Sequence, residues 1–236
     1  GEGADALRQA AQEESWQVFT TPERPAGPFR PLSPELLLPL SAAGIDIREL
    51  LRGFSGAQEE LEIRSFENPA WLYAAARTAL YRKGKHLELL STSEPGFDAM
   101  GRWWQQLFGE TAGTTGLGAF PVCVAYTPDL RFLDKLIRSP EVHLFETMLR
   151  FDQPEQKLFI GKDLRDLGSL NRLSGKSLDQ IHEAVFQGIL EAHTDNGIPV
   201  ITIDCGPLNE YTLGQLFRFF HQRQVGCAHA QAADGL

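Results

Sequence analysis

Glu110 is the residue of this chain whose surroundings best suit chemistry. It follows a segment with an aromatic helix face that breaks at Gly109, and it precedes three glycines and the apolar run 121–126. A carboxylate held between a helix end and a strand on a glycine-rich backbone can be presented to a ligand. A partly desolvated glutamate can also be tuned to transfer protons near neutral pH. The simpler interpretation is that Glu110 only ends a helix in solvent.

Other chemical motifs are weaker. The spacing of Gly113, Gly116 and Gly118 is not that of a dinucleotide fingerprint, and a strand rather than a helix follows them. The sequence has no phosphate loop with Gly-Lys-Ser or Gly-Lys-Thr, and no serine on a nucleophile elbow. Three residues that could in principle bind zinc match no standard spacing: His221, Cys227 and His229. We therefore expect neither a metal nor a cofactor.

Composition limits the partners. The 236 residues are 42% hydrophobic and 22% charged, which suits one globular domain or a domain with an appended half. A net charge of -9 argues against nucleic acid and anionic membranes as partners. No run of about 18 apolar residues is present to span a bilayer. The chain has only three cysteines, which favours a cytoplasmic protein over a disulfide framework.

The elements that must position Glu110 alternate between helices and strands. Strands are predicted at 16–21, 86–91, 121–126, 144–151 and 199–204. Helices are predicted at 4–15, 35–43, 46–61, 68–82, 94–108, 129–138, 177–192 and 209–220. The strand 121–126 is apolar enough to be covered on both sides. This order predicts an α/β fold, with a doubly wound, mainly parallel sheet and flanking helices.

Two features of this prediction bear on the site. Ligands of such sheets bind at the carboxyl ends of the strands, whereas the loop with Glu110 leads to the amino end of the next strand. Topology alone therefore does not place Glu110 in a site. The polar triplet 193–195 at the end of the helix 177–192 is interpreted as a polar cap.

Several stretches together resemble the bacterial glucose-6-phosphate isomerases. They are residues 68–85, 105–111, 171–178, 191–199 and 208–216, and the resemblance runs collinearly from about residue 6 to residue 220. It implies a sugar-isomerase (SIS) fold with two doubly wound subdomains, of which this chain holds a truncated and diverged second one. Residues 1–60 would then be the tail of the first subdomain with linking helices, 61–225 the second subdomain, and 226–236 a flexible tail.

The resemblance also implies a reaction. In the family a carboxylate moves a proton between C2 and C1 of an opened sugar phosphate through a cis-enediolate, and Glu110 occupies the matching position. Substrate-binding roles fall to Thr111, Arg30 and Arg131. The implied ligand is a sugar phosphate, and the implied assembly is a homodimer or a complex with a partner subunit, because family sites take a histidine from the neighbouring subunit.

This chain departs from the family pattern at four places. Pro28 stands where the family has an arginine, and Arg131 stands where it has a histidine. The phosphate-binding loop would lie before residue 1, and the terminal segment with a ring-opening lysine is missing after Phe220. Arg30, two residues from Pro28, could take the place of the lost arginine. Because loss of one such group commonly lowers the rate by about 10²–10⁴, we expect activity to be weak or lost.

Two alternatives to an isomerase remain. The chain could be a sensor or regulator that binds a sugar phosphate without converting it. Arg131 suits this role, since an arginine grips phosphate bidentately but cannot act as a proton shuttle. The chain could also be a subunit that works only with a partner chain that completes the site.

Overall fold

A computed structural model describes residues 2–19, 32–63, 65–115, 118–126, 129, 143–152, 156–166 and 168–232. The chain divides into two units, residues 1–47 and 48–236. The boundaries predicted from the family, at residues 60 and 225, stay predictions.

The first unit contains two helices, α1 (Glu2–Glu13) and α2 (Pro34–Ala42). α2 begins as predicted, with Pro34 in its first turn after the extended residue Ser33. The predicted strand 16–21 is wrong over its first four residues, which form no strand. The N–H of Trp16 instead donates to the carbonyl of Ala11 at 2.8 Å and closes the end of α1. The last two residues of that predicted strand lie outside the described residues.

The remaining elements are α3 (Ile47–Gly56), α4 (Gln58–Glu62), α5 (Pro69–Arg82), β1 (Leu87–Thr92), α6 (Asp98–Thr115), β2 (Phe120–Ala125), β3 (Leu144–Phe151), α7 (Leu178–Asp195), β4 (Val200–Gly206) and α8 (Glu210–Ala232). Short 3-10 turns lie at Pro95–Phe97 and Leu170–Leu173. None of the helices in the described part of the chain is long and apolar enough to cross a membrane.

The four strands form one parallel sheet in the order β2-β1-β3-β4. Leu87 of β1 pairs with Phe120 of β2 on one side and with Leu144 of β3 on the other. The chain therefore crosses from one side of β1 to the other between β2 and β3, which is doubly wound topology. The predicted α/β class is confirmed. β2 is less covered than predicted, since Phe120 is 68% exposed and the strand lies at an edge of the described sheet.

Local caps explain where the helices begin. Asn68 Oδ1 accepts from the N–H groups of Ala70 at 2.9 Å and Trp71 at 3.3 Å, which confirms the predicted start of α5. Ser177 N–H donates to Gln180 Oε1 at 3.1 Å and forms one arm of the capping box predicted for α7. The last helix also starts as predicted, because Asn209 Oδ1 accepts from the N–H of the third residue after it at 2.9 Å.

One predicted helix is broken in the structure, and two others run well past their predicted ends. The predicted helix 46–61 is broken at Ala57 into α3 and α4. α6 does not end at Gly109 but continues to Thr115, because packing against β2 outweighs the cost of about 1 kcal/mol for a glycine inside a helix. α8 likewise runs past the predicted end at Phe220. Apart from Asp129, the predicted helix 129–138 lies outside the described residues.

Two glycines set the crossing of α3 and α8. A Cβ on Gly53 would collide with the carbonyl oxygen of Tyr211, and a Cβ on Gly214 would collide with that of Leu50. Each helix therefore needs a glycine where it approaches the other. This contact, which lies within the second unit, fixes α3 against α8.

Candidate functional site

Glu110 lies on a helix rather than in the predicted loop. It occupies α6 five residues before the end at Thr115, and its side chain is exposed. Gln106, one turn earlier, donates from Nε2 to Glu110 Oε1 at 3.1 Å. A side-chain pair at this spacing lies on one face of the helix. The carboxylate is thus presented to solvent from a regular helix, and Gln106 restrains its orientation.

The position of Glu110 relative to the sheet follows from how α6 packs on β2. A Cβ on Gly101 would collide with Cys123 Sγ, so the helix lies directly on the strand there. Further along, Gln105 Nε2 donates to the carbonyl of Pro121 at 3.4 Å. The helix therefore runs antiparallel to β2, and Glu110 lies near the amino end of that strand.

The other predicted site residues have no described side chain. Thr111 follows Glu110 on α6, while Arg30 and Arg131, like Pro28, lie outside the described residues. Of the four predicted site residues, the structure therefore shows only the surroundings of Glu110. Their roles in binding or catalysis stay predictions.

Asp129 marks the opposite end of β2. Its Oδ2 accepts from the N–H of Ala125, the last residue of β2, at 3.0 Å. Asp129 precedes Arg131 by two residues in the sequence. The chain segment that leads to Arg131 thus leaves the carboxyl end of the strand, whereas Glu110 lies near its amino end.

A buried glutamate on β1 was missed by sequence reasoning. Glu88 is fully buried and forms an ion pair with Arg77 of α5. Glu88 Oε1 also accepts from Tyr73 Oη at 2.7 Å and from Thr147 Oγ1 at 2.9 Å. Burial, and next the charge of Glu88, raise the pKa of Tyr73 well above its ordinary value, so this phenol stays a hydrogen-bond donor. The guanidinium of Arg77 also lies over the ring of Phe108, 4.5 Å from its centroid.

A second buried glutamate faces the opposite side of the sheet. Glu146 of β3 accepts from Ser91 Oγ at 2.5 Å, and its Oε2 lies 2.6 Å from Nδ1 of His193. Glu146 is paired with Leu89, the neighbour of Glu88, so the two glutamates point to opposite faces. His193 is 5% exposed, which corrects its interpretation as a polar cap. The sequence did contain a signal for both buried glutamates, since each stands inside an otherwise apolar run, at 87–90 and at 144–149.

The two described cysteines do not suit nucleophilic chemistry. Burial first, and then the charge of Asp98, raise the pKa of the Cys123 thiol to about 11. Burial first, and then the charge of Asp204, raise the pKa of the Cys205 thiol to about 12. Because the thiolate is the reactive form, both groups are inert near neutral pH.

Comparison with known proteins gives relatives that are named glucose-6-phosphate isomerase. The chain is 39% identical over 222 residues to the glucose-6-phosphate isomerase of Bacillus cytotoxicus, covering 92% of this chain and 48% of that protein. It is 40% identical over 218 residues to that of Heliobacterium modesticaldum, covering 92% of this chain and 49% of the relative. The chain thus spans about half the length of the curated relatives it matches. No protein-family model matches it.

One solved structure supports the fold. A hypothetical protein from Thermus thermophilus superposes with a TM-score of 0.86 at 23% identity, over 95% of this chain and 55% of that one. The four parallel strands with flanking helices are consistent with the predicted SIS type of α/β fold.

Proposed function

Because the chain belongs to the glucose-6-phosphate isomerase family, we propose that it carries the catalytic base of a sugar-phosphate isomerase whose activity here is weak or lost. The observation that carries the proposal is Glu110, which lies exposed on α6 with its carboxylate restrained by Gln106. The substrates are glucose 6-phosphate and fructose 6-phosphate, the pair that glycolysis and gluconeogenesis interconvert. The protein acts in the cytoplasm.

The reaction moves one proton from C2 to C1 and one hydroxyl proton from O2 to O1, and it requires no oxidant. The carboxylate of Glu110 removes the proton from C2 of the opened aldose, and the C–H electron pair forms the double bond of a cis-enediolate. The electrons of the C1 carbonyl move to O1 as this double bond forms. Glu110 then returns the proton to C1, the O2–H electron pair forms the C2 carbonyl, and the O2 proton passes to O1, which gives the ketose. The hydrogen bond from Gln106 to Oε1 orients the carboxylate during both transfers. The reverse sequence converts the ketose to the aldose.

The negative charge of the enediolate and the phosphate needs positive partners. In our proposal Arg131 and Arg30 supply them and Thr111 contributes a hydroxyl, although proline at position 28 removes the arginine that the family places there. A missing charge-stabilising donor commonly costs about 10²–10³ in kcat. Weak or lost activity follows from that substitution.

The two ends of β2 favour a site completed by a second chain. Gly109, the residue before Glu110, lies against Pro121, and Asp129 Oδ2 accepts from the backbone N–H of Ala125. These two strand residues are about 13 Å apart at about 3.3 Å per residue. A homodimer, or a partner subunit, would let Arg131 of one chain approach Glu110 of another.

A coupled spectrophotometric assay tests the proposal. Purified protein is supplied with fructose 6-phosphate, and glucose 6-phosphate is detected with its dehydrogenase. We expect slow conversion that Glu110→Gln abolishes, while Glu191→Gln, which replaces an exposed glutamate on α7, leaves it unchanged. Conversion that persists in Glu110→Gln would contradict the role of this residue.

Mixing two variants tests the shared site. If Glu110 and Arg131 act across a subunit boundary, Glu110→Gln and Arg131→Ala are each inactive alone. Mixed dimers then contain one intact site, so activity reappears after the two are unfolded and refolded together. No recovery, or a strict monomer by light scattering at high concentration, counts against this arrangement.

The substitution of arginine for histidine at position 131 favours one further candidate, a sensor or regulator that binds sugar phosphate without conversion. Calorimetry with glucose 6-phosphate and fructose 6-phosphate would then show binding that Arg131→Ala abolishes and Glu110→Gln retains, with no turnover in the coupled assay. Turnover that depends on Glu110 selects the isomerase instead.

A further inference from the structure

A crevice lies at the edge of the sheet opposite to Glu110. Ser93 and Glu94, which follow β1, and Asp152, which follows β3, line it together with the first turns of α7. The empty volume of the crevice is about 380 Å³, a value that includes space open to solvent. β1 and β3 are the strands between which the chain reverses its winding direction, and ligands of open α/β sheets bind at that place. The topology thus marks a second candidate site, at the edge of the sheet opposite to Glu110.

The charges that line this crevice are mainly negative. Four carboxylates, of Glu94, Asp152, Asp179 and Glu183, face one guanidinium, of Arg150. That guanidinium is already paired, because Arg150 Nε binds Asp204 Oδ1 at 2.6 Å and Nη1 lies 3.6 Å from Glu183 Oε1. The crevice therefore attracts a cation rather than a phosphate.

Asp179 is the group that most requires such a cation. It lies in the first turn of α7, and its side chain is only 3% exposed. Neither of its carboxylate oxygens has a hydrogen-bond partner among the described residues. The ammonium of Lys157, itself 48% exposed, lies 3.9 Å from Oδ2, beyond hydrogen-bond length. A buried carboxylate without hydrogen bonds is costly, and a donor cation in the crevice would relieve that cost.

The donor set suits an organic ammonium better than a metal ion. In the part of the chain that the structure describes, no three His, Cys, Asp or Glu side chains are grouped so as to hold a metal. A primary ammonium carries three N–H donors and is satisfied by one carboxylate with neighbouring acceptors. Phe186 gives the crevice an apolar wall against which a short carbon chain can pack.

We propose that the crevice between the carboxyl ends of β1 and β3 binds a small organic amine, whose ammonium group pairs with the buried carboxylate of Asp179. Glu94 and Asp152 add negative charge at the mouth. Lys157 competes from within the chain, because its ammonium is the nearest cation to the same oxygen. Glu110 is not among the residues that line this crevice.

Calorimetry with 1,4-diaminobutane on the full chain tests this proposal. We expect binding to the unmodified protein, about tenfold or more weaker in Asp179→Asn because a charge-assisted hydrogen bond is lost. Lys157→Met removes the internal competitor and should strengthen binding. Asp195→Asn makes the same change at an exposed aspartate at the other end of α7 and should have no effect.

Two further ligands separate the alternatives. 1,4-Butanediol has the same chain without charge and should not bind, and Mg²⁺ should not displace the diamine. The proposal is overturned if the unmodified protein does not bind the diamine, if Asp179→Asn binds it equally well, or if Lys157→Met weakens binding. Displacement by Mg²⁺ would show a metal site in its place. Circular dichroism confirms that each variant is folded, and Lys157→Met remains informative if Asp179→Asn does not fold.

Discussion

The interior of the sheet and the end of α6 hold their carboxylates in opposite ways. Inside, Glu88 and Glu146 are fully buried and bound to partners from other elements, Arg77 for the first and His193 for the second. On α6, Glu110 is exposed and bonded to Gln106 of the same helix. Buried carboxylates with fixed partners hold strands and helices together. An exposed carboxylate on a helix surface can be reached by a ligand from solvent.

The two buried pairs also differ from each other. Arg77 remains charged at any pH that a folded protein survives, whereas an imidazole can be neutral. Loss of the glutamate beside Arg77 therefore removes the negative charge that forms an ion pair with a buried guanidinium. Loss of the glutamate beside His193 removes one buried side-chain contact, of 2.6 Å.

The largest expected effect is that of Glu88→Gln. This change removes the carboxylate that forms an ion pair with the buried guanidinium of Arg77, so we expect a loss of about 3–5 kcal/mol in the free energy of unfolding. Urea denaturation followed by circular dichroism measures it, with the exposed Glu67→Gln as control. The double change Glu88→Met with Arg77→Met should recover only part of the loss, because the hydroxyls of Tyr73 and Thr147 lose this acceptor. A loss below about 1 kcal/mol in Glu88→Gln would contradict the structural role that separates this buried glutamate from the exposed Glu110.

A smaller effect is expected at the other buried glutamate. Glu146→Gln weakens the contact with His193 but does not remove a partner of a buried guanidinium. The loss in the free energy of unfolding should therefore be about 1.5–3 kcal/mol, as for one hydrogen bond to a charged group. A double-mutant cycle with His193→Asn isolates the coupling between the two side chains. A coupling of zero would show that the 2.6 Å contact contributes nothing to stability.

The partly buried imidazole of His221 should make the stability of the protein depend on pH. Burial first, and then Arg218, lower the pKa of its imidazole from the ordinary 6.5. The unfolded chain therefore binds a proton below pH 6.5 that the folded chain does not, and stability falls as the pH drops from 6.5 towards the folded pKa. His221→Gln should flatten this part of the profile, and His143→Gln, at an exposed histidine, should not. Proton NMR titration measures the pKa directly, and a folded value above 6.5 would reverse the predicted slope.

The smallest expected effect on stability is that of Glu110→Gln. Its side chain is exposed and its described partner Gln106 can hydrogen-bond an amide as well, so the free energy of unfolding should change by less than about 0.5 kcal/mol. Thermal and urea unfolding measure this. A large loss would mean that Glu110 is a structural group like the buried glutamates.

Sequence reasoning succeeded where the determinants are local. The starts of α5 and α7 follow from Asn68 and Ser177, whose bonds reach only a few residues along the chain. β3 was predicted with its observed bounds because an apolar run of that length suits a covered strand. The parallel sheet then followed from the alternation of the elements.

The predictions from the sequence were wrong or incomplete where the structure depends on contacts between residues that are far apart in the sequence. A glycine suggested the end of α6, but packing against β2 carries the helix six residues further. His193 was interpreted as a surface cap, because its partner Glu146 lies 47 residues earlier in the sequence. The crevice with Asp179 likewise forms only when β1, β3 and α7 meet. Glu110 itself was singled out by its glycine-rich surroundings, the resemblance to a family implied its role, and its placement on a helix came from the structure.

Exchange of substrate hydrogen with solvent tests the role of Glu110 most directly, because it detects proton transfer even when net conversion is slow. The protein is incubated with glucose 6-phosphate or fructose 6-phosphate in D₂O, and deuterium at C2 or C1 is followed by NMR. We predict enzyme-dependent incorporation that falls at least about 100-fold in Glu110→Gln, as for loss of a general base, and is retained in Glu191→Gln. Incorporation at an equal rate in Glu110→Gln would contradict the account.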